Sequence, residues 1–392
     1  MTREMAVWGS TLIRVMLAAV LFLYILPIAA FSLDYPFQVF QVLLLFSFFL
    51  LGALVAMRGL GHISYIDYSN RFMVTPKAVY WVFAFYLVTN YSVIGNSIYA
   101  LINNSFISFT YQNAVDRYEN YEEVSNLTFF ERVSVIGFLM SGSLSASVTH
   151  NKGRVHMMLF IMIIVESMQL ARYGVLFVFV TYFIEYAIRN NRGLQLMPAR
   201  KIFKLGLYVI FSLSLIFLFS AYFRVAGRVD DVMATLLYKL GQYTIAMHEA
   251  LLIWMSNYSD SYASTLGTNS LAGIYKIFGY KVDQGFYKLT DTSFGPTNIY
   301  SIFRGLLSDF GVIGTSVILF ISGYTLAKYS KISMSFISFN LVRLIMLVTL
   351  FCLISPLNYF NCVVAVMVSG IIISGFNFGI SRSILDREVG RL

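Results

Sequence analysis

The sequence predicts an all-α, polytopic integral membrane protein of about ten transmembrane helices with one large external loop, and three observations carry that expectation. The chain is 58% hydrophobic and only 12% charged, where a soluble protein carries about 25% charged residues, and its mean hydropathy is +0.73. Apolar runs able to cross a hydrocarbon core of about 30 Å recur from end to end. The lysines and arginines fall mostly on one side of those runs. Length divided by a typical domain size therefore says nothing here.

Eight long apolar runs lie at 12–31, 37–57, 78–101, 132–149, 205–223, 305–327, 336–356 and 359–379, and two shorter ones at 157–171 and 173–188. The first follows Arg3 but is too long and too aromatic at its end for a cleaved leader, so it is read as retained. The runs divide the chain into N-terminal helices over 1–223, with a short helix pair at 157–188, a polar loop over 224–304 and C-terminal helices over 305–392. No internal repeat is visible. Cys352 and Cys362 lie in or beside apolar runs, where they suggest neither a disulfide scaffold nor a metal cluster.

Orientation follows from the basic residues. With the N-terminus inside, eighteen lysines and arginines face inward, against only Arg117, Arg132 and Arg172 outside, the long loop left aside. Both termini are thus expected in the cytoplasm and the loop 224–304 on the outer face. The net charge of +9 is this topology signal, directed at membrane lipids, and is no sign of nucleic-acid binding.

Four groups of residues carry candidate chemistry. The short pair at 157–188 has arms of about 22 Å, and its turn carries Arg172, with Glu166 and Tyr173 along the same flank. Ionisable groups at membrane depth are costly and mark function by default; a structural ion pair is the plainer alternative. Arg224 and Arg228, four residues apart after the run 205–223, can form a fork for phosphate oxygens, or anchor at the interface beside Asp230 and Asp231. Residues 232–256 read as one amphipathic helix, with Met233, Leu237, Met247, Leu251 and Trp254 on one face and Lys239 and Glu249 opposite. Such a helix is expected to lie on the outer surface as a lid, with His248 at the edge of its apolar face. Last, Asn298, Tyr300, Arg304 and Asp309 line the return to the membrane after Pro296.

Several chemistries have no signature. There is no phosphate-binding glycine loop, dinucleotide fingerprint, zinc spacing or nucleophile elbow. No cofactor is expected, and no metal site.

The string Asn298-Ile299-Tyr300-Ser301, then Arg304, then Asp309-Phe310-Gly311 resembles a motif of the bacterial O-antigen and capsular repeat-unit polymerases, the Wzy type. An arginine at the turn of a short helix pair (Arg172) and arginines after the next span (Arg224, Arg228) fit the same resemblance. It covers the chain by architecture and about 14 residues by motif. The resemblance implies a GT-C-like polymerase or ligase architecture in the bacterial inner membrane, with its active site facing the periplasm. It implies joining of oligosaccharide units carried on undecaprenyl diphosphate, as donor and acceptor, alongside a chain-length regulator membrane protein. An O-antigen ligase-like or other lipid-linked glycosyltransferase, and a lipid-linked oligosaccharide flippase or transporter, are the alternatives.

Residue chemistry agrees with the first of these. A sugar leaving a diphosphate needs positive charge where the leaving group forms, which Arg172, Arg224, Arg228 and Arg304 can supply. The acceptor hydroxyl needs a base; His248 is the first candidate, with Glu249, Asp309 and Asp291 as others. Glu166, Tyr173, Glu249, Asn298 and Tyr300 are the expected substrate contacts, and Arg304 and Asp309 are grouped with His248 as catalytic.

Overall fold

A computed structural model describes residues 17, 20–59, 74–103, 129–148, 150–168, 172–189, 222, 231–257, 267–280, 289–297, 302–329, 336–350 and 359–389. It is mostly helical. After a π-helical turn at Leu21–Ile25 come α1 (Leu26–Ala29), α2 (Pro36–Gly59), α3 (Pro76–Thr89), α4 (Tyr91–Ile102), α5 (Phe129–Ala146), α6 (Lys152–Met168) and α7 (Arg172–Arg189). Then follow α8 (Val232–Thr244), α9 (Ala246–Asn257), α10 (Ala272–Ile277), the hairpin β1 (Thr290–Thr292) and β2 (Gly295–Thr297), α11 (Ile302–Tyr329), α12 (Phe336–Leu350) and α13 (Phe360–Val389).

Among the described residues, Pro36–Arg58 and Ile302–Tyr329 are long and apolar enough to cross a membrane. Pro76–Thr89 with Ile94–Ala100 would make a third, bent by 68°, and Tyr173–Ile188, Ile337–Leu350 and Phe360–Ser374 are shorter apolar helices. Each of these falls on an expected run. The run 205–223 lies outside the described residues, Tyr222 excepted. The short pair is longer than its apolar runs: α6 and α7 have 17 and 18 residues, roughly 26 Å each.

The chain divides into two compact units. The first takes residues 1–70, 187–199 and 238–363, and α2 is its axis. Pro36 opens this helix at a position where the missing N–H costs nothing, and Arg58 in the last turn complements the C-terminal dipole. Along α11, Gly323 lies against the Phe49 carbonyl, and Gly52 of α2 lies against the Phe320 carbonyl. Only a residue without a side chain admits such backbone contact, as in closely packed membrane helices. Phe40, Leu44, Leu51 and Leu54 of α2, and Ile313, Val317 and Ile321 of α11, stay exposed, an apolar surface suited to lipid.

α11 is not one straight span. Gly311 has φ 62° and ψ −173° inside it, a region essentially closed to other residues. The Phe303 ring packs on Phe46 with centroids 5.1 Å apart, while Gly323 touches Phe49. In a straight helix residues 303 and 323 would lie about 30 Å apart, yet both meet α2 within one turn. The chain therefore turns sharply at Gly311. It leaves a buried short arm, 302–310, and a long arm, 312–329, of roughly 27 Å that is left to cross the hydrocarbon alone.

The expected amphipathic helix over 232–256 also breaks. A turn at Ile245 separates α8 from α9. α8 leaves Met233 and Leu237 exposed, whereas α9 buries Ala246 to Leu252 without interruption, and Trp254 and Met255 as well. A helix apolar all round belongs in a core, not on a surface. α9 accordingly joins Tyr24, Phe46, Phe303 and Leu307 in an apolar cluster of the unit, and is no lid. Phe46 lies about 15 Å along α2, so the cluster sits near the middle of that helix.

The second unit takes residues 71–186, 200–237 and 364–392. α5 is its inner helix, buried from Phe138 to Ala146, and Gly142 brings its backbone against the Val178 carbonyl of α7. A parallel bridge joins Val74 to Val148. The bend after α3 is held by polar contacts: the Asn90 side-chain amide donates to the Tyr86 carbonyl at 2.9 Å, and Thr89 Oγ1 bonds Ser134 Oγ at 2.7 Å. A span broken at Asn90 needs such substitutes for lost helix bonds.

Candidate functional site

Four of the sequence-predicted residues gather on two packed segments of the first unit: His248 and Glu249 on α9, Arg304 and Asp309 on the short arm of α11. The Arg304 guanidinium lies over the Trp254 ring of α9, 5.3 Å from its centroid, a cation–π contact. On the neighbouring position Phe303 packs edge-on against Tyr24, at 5.3 Å.

His248 is fully buried, its ring 5.9 Å from Tyr24 in an edge arrangement. Neither ring nitrogen makes a hydrogen bond. Burial lowers its pKa from 6.5 to about 4, partly offset by the nearby Leu23 backbone, which does not reach hydrogen-bond geometry. The ring is therefore neutral at pH 7. Because the folded pKa is the lower one, this neutral burial stabilises fully above pH 6.5 and fades as pH falls from 6.5 toward 4. Purified protein is expected to lose about 2–3 kcal/mol of stability between pH 7 and pH 4.5 from this group. Denaturant titration of His248→Phe against wild type at the two pH values checks it, since the variant should lack this component.

Both carboxylates fasten loops. Glu249, in the first turn of α9, takes the Ser293 backbone N–H at 3.0 Å and the Ser293 hydroxyl at 2.5 Å. This pins the β-hairpin, whose register pairs Thr290 with Thr297, and Gln242 adds a bond to the Pro296 carbonyl at 3.3 Å. The phenol of Tyr35, just before α2, has its pKa raised by burial and then by Glu249 and Asp34. Asp309 is fully buried and takes two bonds on each oxygen: Asn269 N–H at 3.0 Å and side-chain amide at 2.9 Å, Ser270 N–H at 2.7 Å and hydroxyl at 2.5 Å. Gly267, in the same turn, lies beside the Phe310 ring. The Asp-Phe-Gly string thus has three local tasks: Asp309 binds the turn, Phe310 packs on it and Gly311 redirects the chain.

Glu166 and Tyr173 belong to the second unit. Glu166 is buried and accepts a bond from the Tyr86 hydroxyl at 3.1 Å; Tyr173 is half-buried. Arg172 opens α7, but its side chain lies outside the described residues. So do Arg224, Arg228, Asn298 and Tyr300. Sequence reading missed Tyr24, Tyr35, Asn269, Ser270 and Ser293 as parts of this site, and Trp254 as the ring beneath Arg304. Their roles depend on contacts 39 or more residues away, for which spacing gives no signal. Among the described residues, no three His, Cys, Asp or Glu side chains group as metal ligands would.

These features define a helical membrane protein with a half-buried arginine and a buried histidine packed within one unit. Comparison of the chain with protein-family models, curated proteins and solved structures gave no match.

Proposed function

We propose that the protein is a membrane glycosyltransferase that polymerises oligosaccharide units carried on a polyprenyl diphosphate, with undecaprenyl diphosphate as the carrier and the periplasmic face of the inner membrane as its place. The observation that carries this reading is Arg304, set on a buried, separately fastened arm against Trp254, inside the string that resembles the O-antigen and capsular polymerases. Further support comes from the sequence, in which the same resemblance assigns Arg172, Arg224 and Arg228 to a diphosphate as well.

In this reaction the acceptor hydroxyl attacks the anomeric carbon, the bond from sugar to diphosphate breaks, and the diphosphate departs as an anion. Arg304 stabilises the charge as it forms. The acceptor proton needs a base. Glu249 and Asp309 have their oxygens engaged by Ser293, Asn269 and Ser270, which leaves His248, whose buried ring nitrogens make no hydrogen bond, as the proposed base. A chain-length regulator in the same membrane is the expected protein partner.

Deleting the gene from a strain that makes the polymer tests the reading. Lipid A core should then carry at most one repeat unit, with no ladder of longer chains. Failure to export any unit would instead indicate a flippase.

A further inference from the structure

We propose that Asp309 is a positioning residue that fixes the short arm of α11, and with it the Arg304 guanidinium, by binding the 267–270 turn. The proposal rests on the reading of Arg304 as a diphosphate-binding group. An ionised carboxylate only accepts hydrogen bonds and has about four lone-pair sites; Asp309 has four donors from Asn269 and Ser270 on its two oxygens. Nothing is left on it to take a proton from a substrate. Bonds to an ionised acceptor are the stronger kind, and all four come from a turn about 40 residues earlier in the chain.

The arm needs such a fastening. The sharp turn at Gly311 means that the long arm, locked to α2 by Gly323, does not dictate where the short arm points. Arg304 lies five residues before Asp309 on that arm, roughly 7.5 Å along its axis. The clasp closes at the last turn before the break, and Phe310 beside Gly267 reinforces it. At the other end the chain reaches the arm from the hairpin that Glu249 holds. Both ends of the segment bearing Arg304 are thereby tied to buried carboxylates.

Trp254 reports on the arm because Arg304 covers its ring. The chain has 3 tryptophans, so Trp8→Phe with Trp81→Phe leaves Trp254 as the only emitter in the full-length, detergent-purified protein. In that background Asp309→Ala should shift the emission to the red and increase quenching by acrylamide, with Asp309→Asn intermediate and Ser270→Ala smaller in the same direction. Polymerisation of a lipid-linked oligosaccharide should fall about 10- to 100-fold in Asp309→Ala, the scale of a misplaced reacting group. Asp309→Asn should recover part of the rate and keep the acidic limb of the pH–rate profile. Wild-type emission and quenching in all three variants would overturn the proposal, as would loss of that limb in Asp309→Asn, which would make Asp309 the proton acceptor. A changed Trp254 signal with undiminished polymerisation leaves the positioning role standing and removes Arg304 from the proposed reaction. Should Asp309→Ala not fold, Ser270→Ala and Asn269→Ala decide by the same signal.

Discussion

Replacing Gly311 by alanine is expected to abolish polymerisation while leaving much of the protein helical. The residue holds φ 62° and ψ −173°, a conformation essentially reserved for glycine, and forcing a side chain into it costs of order 1–3 kcal/mol. The easiest relief is to straighten the helix. Straightening would pull Phe303 away from Phe46 and Tyr24, Arg304 away from Trp254, and Asp309 out of its turn. Each of those groups is buried or partly buried, and an unpaired buried carboxylate costs several kcal/mol more. Circular dichroism should change little, whereas limited proteolysis between residues 258 and 300 should accelerate and activity should vanish. Wild-type activity in Gly311→Ala would mean that the bend is dispensable.

Arg304→Ala is expected to cut turnover by about 10²–10³, the effect of removing one preorganised charge from a forming anion. Lysine should restore only part of the rate, because an ammonium can neither lie flat over Trp254 nor bind two oxygens as a fork. Binding of the lipid-linked donor should weaken less than turnover if Arg304 acts mainly on the departing diphosphate. Protein level and thermal stability must be followed alongside, since loss of the cation–π contact alone is worth about 0.5–2 kcal/mol. A folded Arg304→Ala variant polymerising at the wild-type rate would reduce this arginine to an anchor.

Helix content and the position of most apolar runs were readable because each depends on residues close together in sequence: twenty apolar residues in a row are a local fact. The breaks were not. Gly311 is one of 26 glycines, and nothing in its neighbours distinguishes a residue at φ 62° from one in a regular helix. The interruption at Ile245 was hidden by apolar periodicity that carries through it. Glu249 suggested a helix face turned to water, because polar residues usually do. Its burial is explained by a partner that spacing cannot reveal, Ser293, 44 residues away. Arg304 and Asp309 lie five residues apart, a poor spacing for a direct pair on one helix. What they meet, a tryptophan on α9 and a turn before α10, was visible only in three dimensions.

The contact between Gly323 and Phe49 also governs how the protein can be made. It closes a loop of about 270 residues, so the loss of chain entropy comes long before the contact can repay it. During synthesis α2 is threaded into the bilayer early, while its partner is still untranslated. Until the ribosome has passed residue 329, the glycine face of α2 must be covered by lipid or by an insertion factor. A chain cut short before that point leaves α2 without its neighbour, and quality-control proteases of the membrane would meet an exposed helix rather than a smaller working protein.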